Sequence, residues 1–86
     1  MERDERWQAL FKTVQRVIAD QFKISTDMVS SNLDILRAFK ADSLDVLQIM
    51  MRLEERLNIE IPDEDARRFI TVRDATEYLY DKGATV

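Results

Sequence analysis

One glycine and one proline in 86 residues constrain this chain more than any other feature. Sheet proteins turn often, and tight turns draw on glycine for positive φ and on proline for fixed φ. Helices joined by a few connections need neither in quantity, and a charged fraction of 35% suits their exposed faces. The expectation is an all-α fold. At this length the chain makes one domain with one modest core. Residues 1–83 are expected to form it, with Ala84-Thr85-Val86 as a frayed end.

Two absences narrow the chemistry. There is no cysteine, hence no disulfide framework and no thiolate metal or redox site. There is no histidine, which removes the commonest general base, the commonest zinc ligand and every imidazole triad. The opening Met1-Glu-Arg-Asp-Glu-Arg6 lacks the apolar stretch of a signal peptide, and no apolar run approaches the ~18 residues that span a bilayer. A soluble, cytoplasmic protein without membrane insertion is expected.

Hydrophobic spacing divides the chain into four helices. The first runs from about Arg3 to Gln21, with Trp7, Leu10, Phe11, Val14, Val17 and Ile18 on one face. A long connection, Phe22 to Asp42, follows. Ser25-Thr-Asp27 marks one helical turn in it, and Ile24, Val29, Leu33, Ile35, Leu36 and Phe39 make it too apolar for a disordered linker. The second helix spans Ser43 to Leu57, with Leu44, Leu47, Met50, Met51 and Leu53 as its apolar stripe. Pro62 turns Ile61 away from helix, and a short third helix fits Asp63 to Phe69. Thr71 and Asp74 resemble a capping box for a last helix that ends near Gly83. Trp7, Phe11, Leu47, Met51, Leu53, Ile61, Phe69 and Leu79 are the expected core.

Charge is uneven. The net value is −4, yet Asp42 to Asp65 holds eight acids against two bases, which makes that segment −6 and leaves +2 for the rest. Such a surface repels nucleic acid and attracts basic protein patches, or is simply a solvated helix face, the commoner case in an arbitrary protein. The acids Asp63, Glu64 and Asp65 lack the glycine and spacing of a calcium loop, so no metal site is assigned.

The second helix opens with Asp42-Ser43-Leu44-Asp45. On the residues alone Ser43 has two readings, a helix cap or a hydroxyl held in solvent for chemistry. The stretch "ADSLDVLQIMMRLEERLNIEIPDEDA", from Ala41 to Ala66, closely resembles the acyl carrier proteins of fatty-acid and related lipid synthesis. Asp-Ser-Leu, the acidic Leu53-Glu-Glu55, the Ile61-Pro62-Asp63 turn and "ITVRDATEYL" from Ile70 to Leu79 carry the likeness, which covers nearly the whole chain.

That resemblance implies a four-helix bundle of three longer helices and one short one, with a long loop between the first two. It implies a 4'-phosphopantetheine covalently attached at Ser43, transferred from coenzyme A by a phosphopantetheinyl transferase. Acyl groups then travel as thioesters on the arm, and the protein positions them without being an enzyme. Partners would be acyl-transferring, condensing and other acyl-processing enzymes with basic docking patches, met by a monomer. Asp42, Leu44, Asp45, Gln48, Glu54 and Glu55 would form the docking face. The acyl chain would enter between the helices. A non-carrying interaction module using the same acidic face, and an aminoacyl or peptidyl carrier, are the alternatives. The chain also departs from the family. Where acids, an apolar residue and glycine usually precede Ala41, it has Arg37-Ala38-Phe39-Lys40, and Gln48 replaces a common acid. These changes are either drift in exposed charge, worth little for stability, or the mark of a specialised carrier whose partners are selected by Arg37 and Lys40, and the second is the expectation.

Overall fold

Each helix begins on a side chain that accepts a backbone N–H, with one exception. In the computed structural model, which describes residues 4–86, α1 (Glu5–Phe22) is capped by Asp4, whose carboxylate accepts the Trp7 N–H at 3.0 Å. The expected start at Arg3 lies outside the described residues. Ser25 caps a 3₁₀ turn, Thr26–Met28. Asp34 caps α2 (Ile35–Phe39) by accepting the Arg37 N–H. α3 (Ser43–Leu57) and α5 (Val72–Asp81) each carry a reciprocal capping box, Asp42 with Asp45 and Thr71 with Asp74. The exception is α4 (Asp63–Ala66), which starts after Pro62 with no side-chain cap.

The helix ends share a second device. Lys23, Lys40 and Asn58 adopt φ of 56°, 51° and 54°, and Gly83 adopts 80°. In each case the following N–H reaches back to a carbonyl in the last turn: Ile24 to Ala19, Ala41 to Leu36, Ile59 to Glu54, Ala84 to Leu79. This left-handed closure satisfies carbonyls that the helix leaves orphaned. Glycine makes it once. Three side-chain-bearing residues make it elsewhere, at a steric cost.

The fold is helical as expected, with three longer helices and two short ones, α2 and α4, and among the described residues an isolated bridge between Asp34 and Thr71 takes the place of any strand. The long connection contributes one more helix, α2, than its pattern predicts. It is stitched to the start of α5. Val72 and Arg73 donate to the carbonyls of Leu33 and Ser31 at 3.1 and 2.8 Å, and Ile35 donates to Ile70 at 2.9 Å. The loop thus supplies acceptors for N–H groups that the first turn of α5 cannot satisfy itself. α4 is shorter than the expected Asp63 to Phe69, because Arg68 and Phe69 donate to carbonyls only three residues back and tighten into turns.

The core lies where α1 packs on α5 and α3. Trp7, Leu53, Ile61, Phe69 and Leu79 are buried as expected. Phe11 and Leu47 are half-buried. Met51 is not core: it is 61% exposed, and Leu44 is 60% exposed. The buried strip of α3 is Ile49, Met50, Leu53 and Leu57, a single i, i+1, i+4, i+8 face. Leu44 and Met51 lie on another side of the same helix, so its apolar residues exceed what one packed face can cover. The end expected to fray keeps one anchor, for Ala84 is buried and its carbonyl accepts from Arg6 at 2.7 Å.

Candidate functional site

Ser43 is the first residue inside α3, and the residue before it does the capping. Asp42 Oδ1 accepts the Asp45 N–H at 3.1 Å, and Asp45 Oδ2 accepts the Asp42 N–H at 3.2 Å. The serine hydroxyl is therefore excused from the commonest duty of a helix-starting serine. Ser43 is exposed. It sits beside N–H groups and the positive end of a fifteen-residue helix, a favourable place for a phosphodiester.

A second helix holds this corner in place. Gln21, near the end of α1, donates through Nε2 to Asp45 Oδ1 at 3.3 Å and to the Gln48 side-chain oxygen at 2.6 Å. Gln48 is thus a hydrogen-bonded acceptor on the exposed side of α3. Asp42 and Leu44 are exposed beside Ser43. Glu54 is turned to another use, accepting the Ile61 N–H at 2.7 Å and tying the chain beyond α3 to the helix. Glu55 is exposed and lines a shallow groove with Val17, Asp20, Arg52 and Arg56. Arg37 and Lys40 are exposed on α2 and at its left-handed end. Asp42, Leu44, Asp45 and Gln48 thus lie within about two turns of Ser43 on α3, whereas Glu54 and Glu55 lie farther along the helix.

Beside Ser43 opens a cavity of about 480 Å³. α2 contributes Leu36, α3 contributes Val46 and Leu47, and α4 with the turn after it contributes Ala66, Phe69 and Ile70. Asp63 and Arg67 supply polar edges. Hydrophobic spacing does not reveal this cavity, because its lining comes from three separate segments. Leu36 (41% exposed) and Ile70 (55% exposed) are apolar residues that the core leaves uncovered at its mouth.

The cavity's far wall leans on α5. The Tyr78 hydroxyl donates to Asp65 Oδ2, and the Tyr78 ring meets the Phe69 ring edge-on at 5.2 Å. Burial, and then the hydrogen bond to Asp65, push the Tyr78 phenol up to about 12. Among the described residues no three His, Cys, Asp or Glu side chains gather to hold a metal ion. No described helix is long and apolar enough to cross a membrane.

An exposed serine at a helix start, with an apolar cavity at its side, fits a flexible arm that ends in an apolar cargo. Comparison with known proteins agrees. Residues 12–79 match the family model described as the phosphopantetheine attachment site. An acyl carrier protein of Helicobacter pylori is 42% identical over 73 residues, covering 85% of this chain and 94% of its own. One from Clostridium perfringens is 40% identical over 70 residues, covering 81% and 92%. The solution structure of a protein from Anaplasma phagocytophilum, assigned to the acyl carrier proteins, superimposes with a TM-score of 0.81 at 28% identity, covering 98% of this chain and 99% of that one.

Proposed function

The chain belongs to the acyl carrier protein family, whose members hold acyl groups on a covalently bound 4'-phosphopantetheine, and on that premise we propose that Ser43 carries the arm. The observation behind the assignment is the division of labour at the start of α3. Asp42 and Asp45 close the helix on each other, which leaves the Ser43 hydroxyl exposed and without a hydrogen bond among the described residues. In the transfer, the serine oxygen forms a new bond to the phosphorus of coenzyme A that bears the pantetheine. The phosphoanhydride bond breaks and the adenosine bisphosphate half leaves. The serine proton goes to a base on the modifying enzyme, because this chain has no histidine and the Asp42 and Asp45 carboxylates beside Ser43 are engaged with each other's backbone N–H. Once bound, the arm supplies the thiol on which acyl groups are held.

The chain's own residues do the rest. The cavity beside Ser43 offers apolar walls to an acyl chain folded back from the arm. Exposed Leu44 and Met51, with Asp42, Asp45, Gln48 and Glu55 around them, give α3 an apolar stripe edged by acids. That pattern suits acyl-processing enzymes with basic rims and apolar centres. Arg37 and Lys40 stand on the approach to Ser43 and disfavour partners whose docking surface is uniformly basic. Fatty-acid or related lipid synthesis is the process we assign, with a specialised rather than housekeeping role.

The deciding experiment is modification. Incubated with coenzyme A and a broad-specificity phosphopantetheinyl transferase, the intact protein should gain one phosphopantetheine by mass, mapped to Ser43, and Ser43→Ala should gain none. Label on another residue, or none from several transferases, overturns the proposal.

A further inference from the structure

The wall of the cavity opposite α3 is built on the shortest α-helix among the described residues. α4 has four residues and no side-chain cap, far below the ~12 that make an isolated helix even marginal. The segment is pinned at both ends, by Ile61 N–H on Glu54 Oε2 at 2.7 Å and by Ile35 N–H on the Ile70 carbonyl at 2.9 Å. Between these pins, Tyr78 grips the segment twice. Its hydroxyl holds Asp65, next in sequence to the cavity-lining Ala66, and its ring abuts cavity-lining Phe69. One side chain on α5 therefore tethers this wall at two points.

We infer that Tyr78 and Asp65 are positioning residues that fix the depth of the cavity beside Ser43, and with it the length of acyl chain this carrier shelters. This rests on the reading that Ser43 bears the arm and that cargo enters the cavity. An acyl chain that outgrows the cavity must either push α4 outward, which breaks the Tyr78–Asp65 bond, or leave its end in water. With the bond intact, the second outcome wins at a shorter chain length. Without it the wall can yield while its two ends stay pinned, because neither pin involves Tyr78.

The test loads the phosphopantetheinylated protein with straight-chain acyl groups of four to about fourteen carbons and records melting temperature against length. Apolar burial stabilises in proportion to the methylenes removed from water, so the curve should climb while carbons enter the cavity and then level off. In Tyr78→Phe and Asp65→Ala the levelling should move at least two carbons longer. Asp65→Asn keeps an acceptor oxygen for the phenol and should level off with the wild type. Should Tyr78→Phe not fold, Asp65→Ala carries the comparison from the other end of the bond. Levelling at one common length in all the proteins overturns the inference, even if the variants melt lower, because the bond would then be structural only. A loaded wild type that gains nothing at any length overturns it too. Intact mass reports loading separately: failure to load counts against Ser43, whereas full loading with unshifted curves counts against the tether.

Discussion

The two sides of α5 are held in opposite ways. Towards α1, the seam is a closed network. Trp7 is fully buried, and its Nε1 donates to Glu77 at 2.7 Å. Arg6 lies over the Tyr80 ring at 3.8 Å and donates to the carbonyls of Tyr80 and Ala84. The Tyr80 hydroxyl in turn donates to Asp4, the residue that caps α1. Towards α4, Tyr78 reaches a four-residue helix that owes its place to neighbours rather than to its own hydrogen bonds. The well-tied side contributes no residue to the cavity beside Ser43, and the loosely tied side backs the segment that forms its wall. Rigidity and accommodation are kept apart in a domain of one core.

The hardest way to break this comparison is to equalise the two sides by truncation. Trp7→Ala should cost about 3–5 kcal/mol, a large share of the ~5–15 kcal/mol that holds a small domain together. Leu47→Ala removes a half-buried side chain at the cavity and should cost about 1–2 kcal/mol, less than full burial would imply. Chemical denaturation of both variants measures the difference. Equal losses would mean that the cavity side is as tightly built as the seam.

Alkaline pH sharpens the contrast with a smaller effect. The Tyr78 phenol, raised from 10.0 to about 12, keeps its proton in the folded protein where the unfolded chain would lose it. Its contribution to stability is complete below pH 10.0 and is lost as pH rises towards 12. Tyr80 is shifted in the same direction by its hydrogen bond to Asp4. Denaturation midpoints should therefore fall across that window, and the fall should be shallower in Tyr78→Phe. An identical slope in wild type and variant would show that the phenol is not what responds.

The smallest effect is a gain. Lys40 closes α2 at φ 51°, a conformation that costs an ordinary residue ~1–2 kcal/mol and glycine much less. After glycine's greater loss of backbone freedom, Lys40→Gly should stabilise by about 0.5–1 kcal/mol. Lys23→Gly, at φ 56° on the end of α1, is the matched control and should gain a similar amount. A loss at Lys40 would reveal a contact of its side chain that stabilises α2.

How much of this was legible follows from where the signals lie in sequence. α3 was readable to the residue because Asp42 and Asp45 start it and Asn58 ends it, each a local feature. The capping box of α5 was equally local. α2 escaped because five residues are too few to display a helical period, although Asp34 is a conventional cap. The face of α3 was misjudged at Leu44 and Met51, and Ile49 was overlooked. A helix with apolar residues on two sides does not say which side its neighbours cover, and only packing against α1 settles that. The cavity was illegible for the same reason, being assembled from Leu36, Val46, Phe69 and other residues far apart in the chain. Ser43 was visible as a candidate because its motif is contiguous. That its hydroxyl is spared from capping was not, since Asp42 and Ser43 are both good caps and geometry chooses between them.

If Ser43 carries the arm, as we propose, that choice bears on what partners can know about the carrier. The hydroxyl of Ser43 supports nothing in the scaffold, so occupying it disturbs no internal contact. A bare and an armed copy should present the same helices, caps and charged faces to a passing enzyme. The surface can announce that this is a carrier, but not whether it is ready. An enzyme that must tell the two apart has to feel for the arm itself, and one that reads only the α3 face will be occupied by unarmed copies as readily as by armed ones. The ratio of the two forms then becomes a quantity the cell has to govern from outside the molecule.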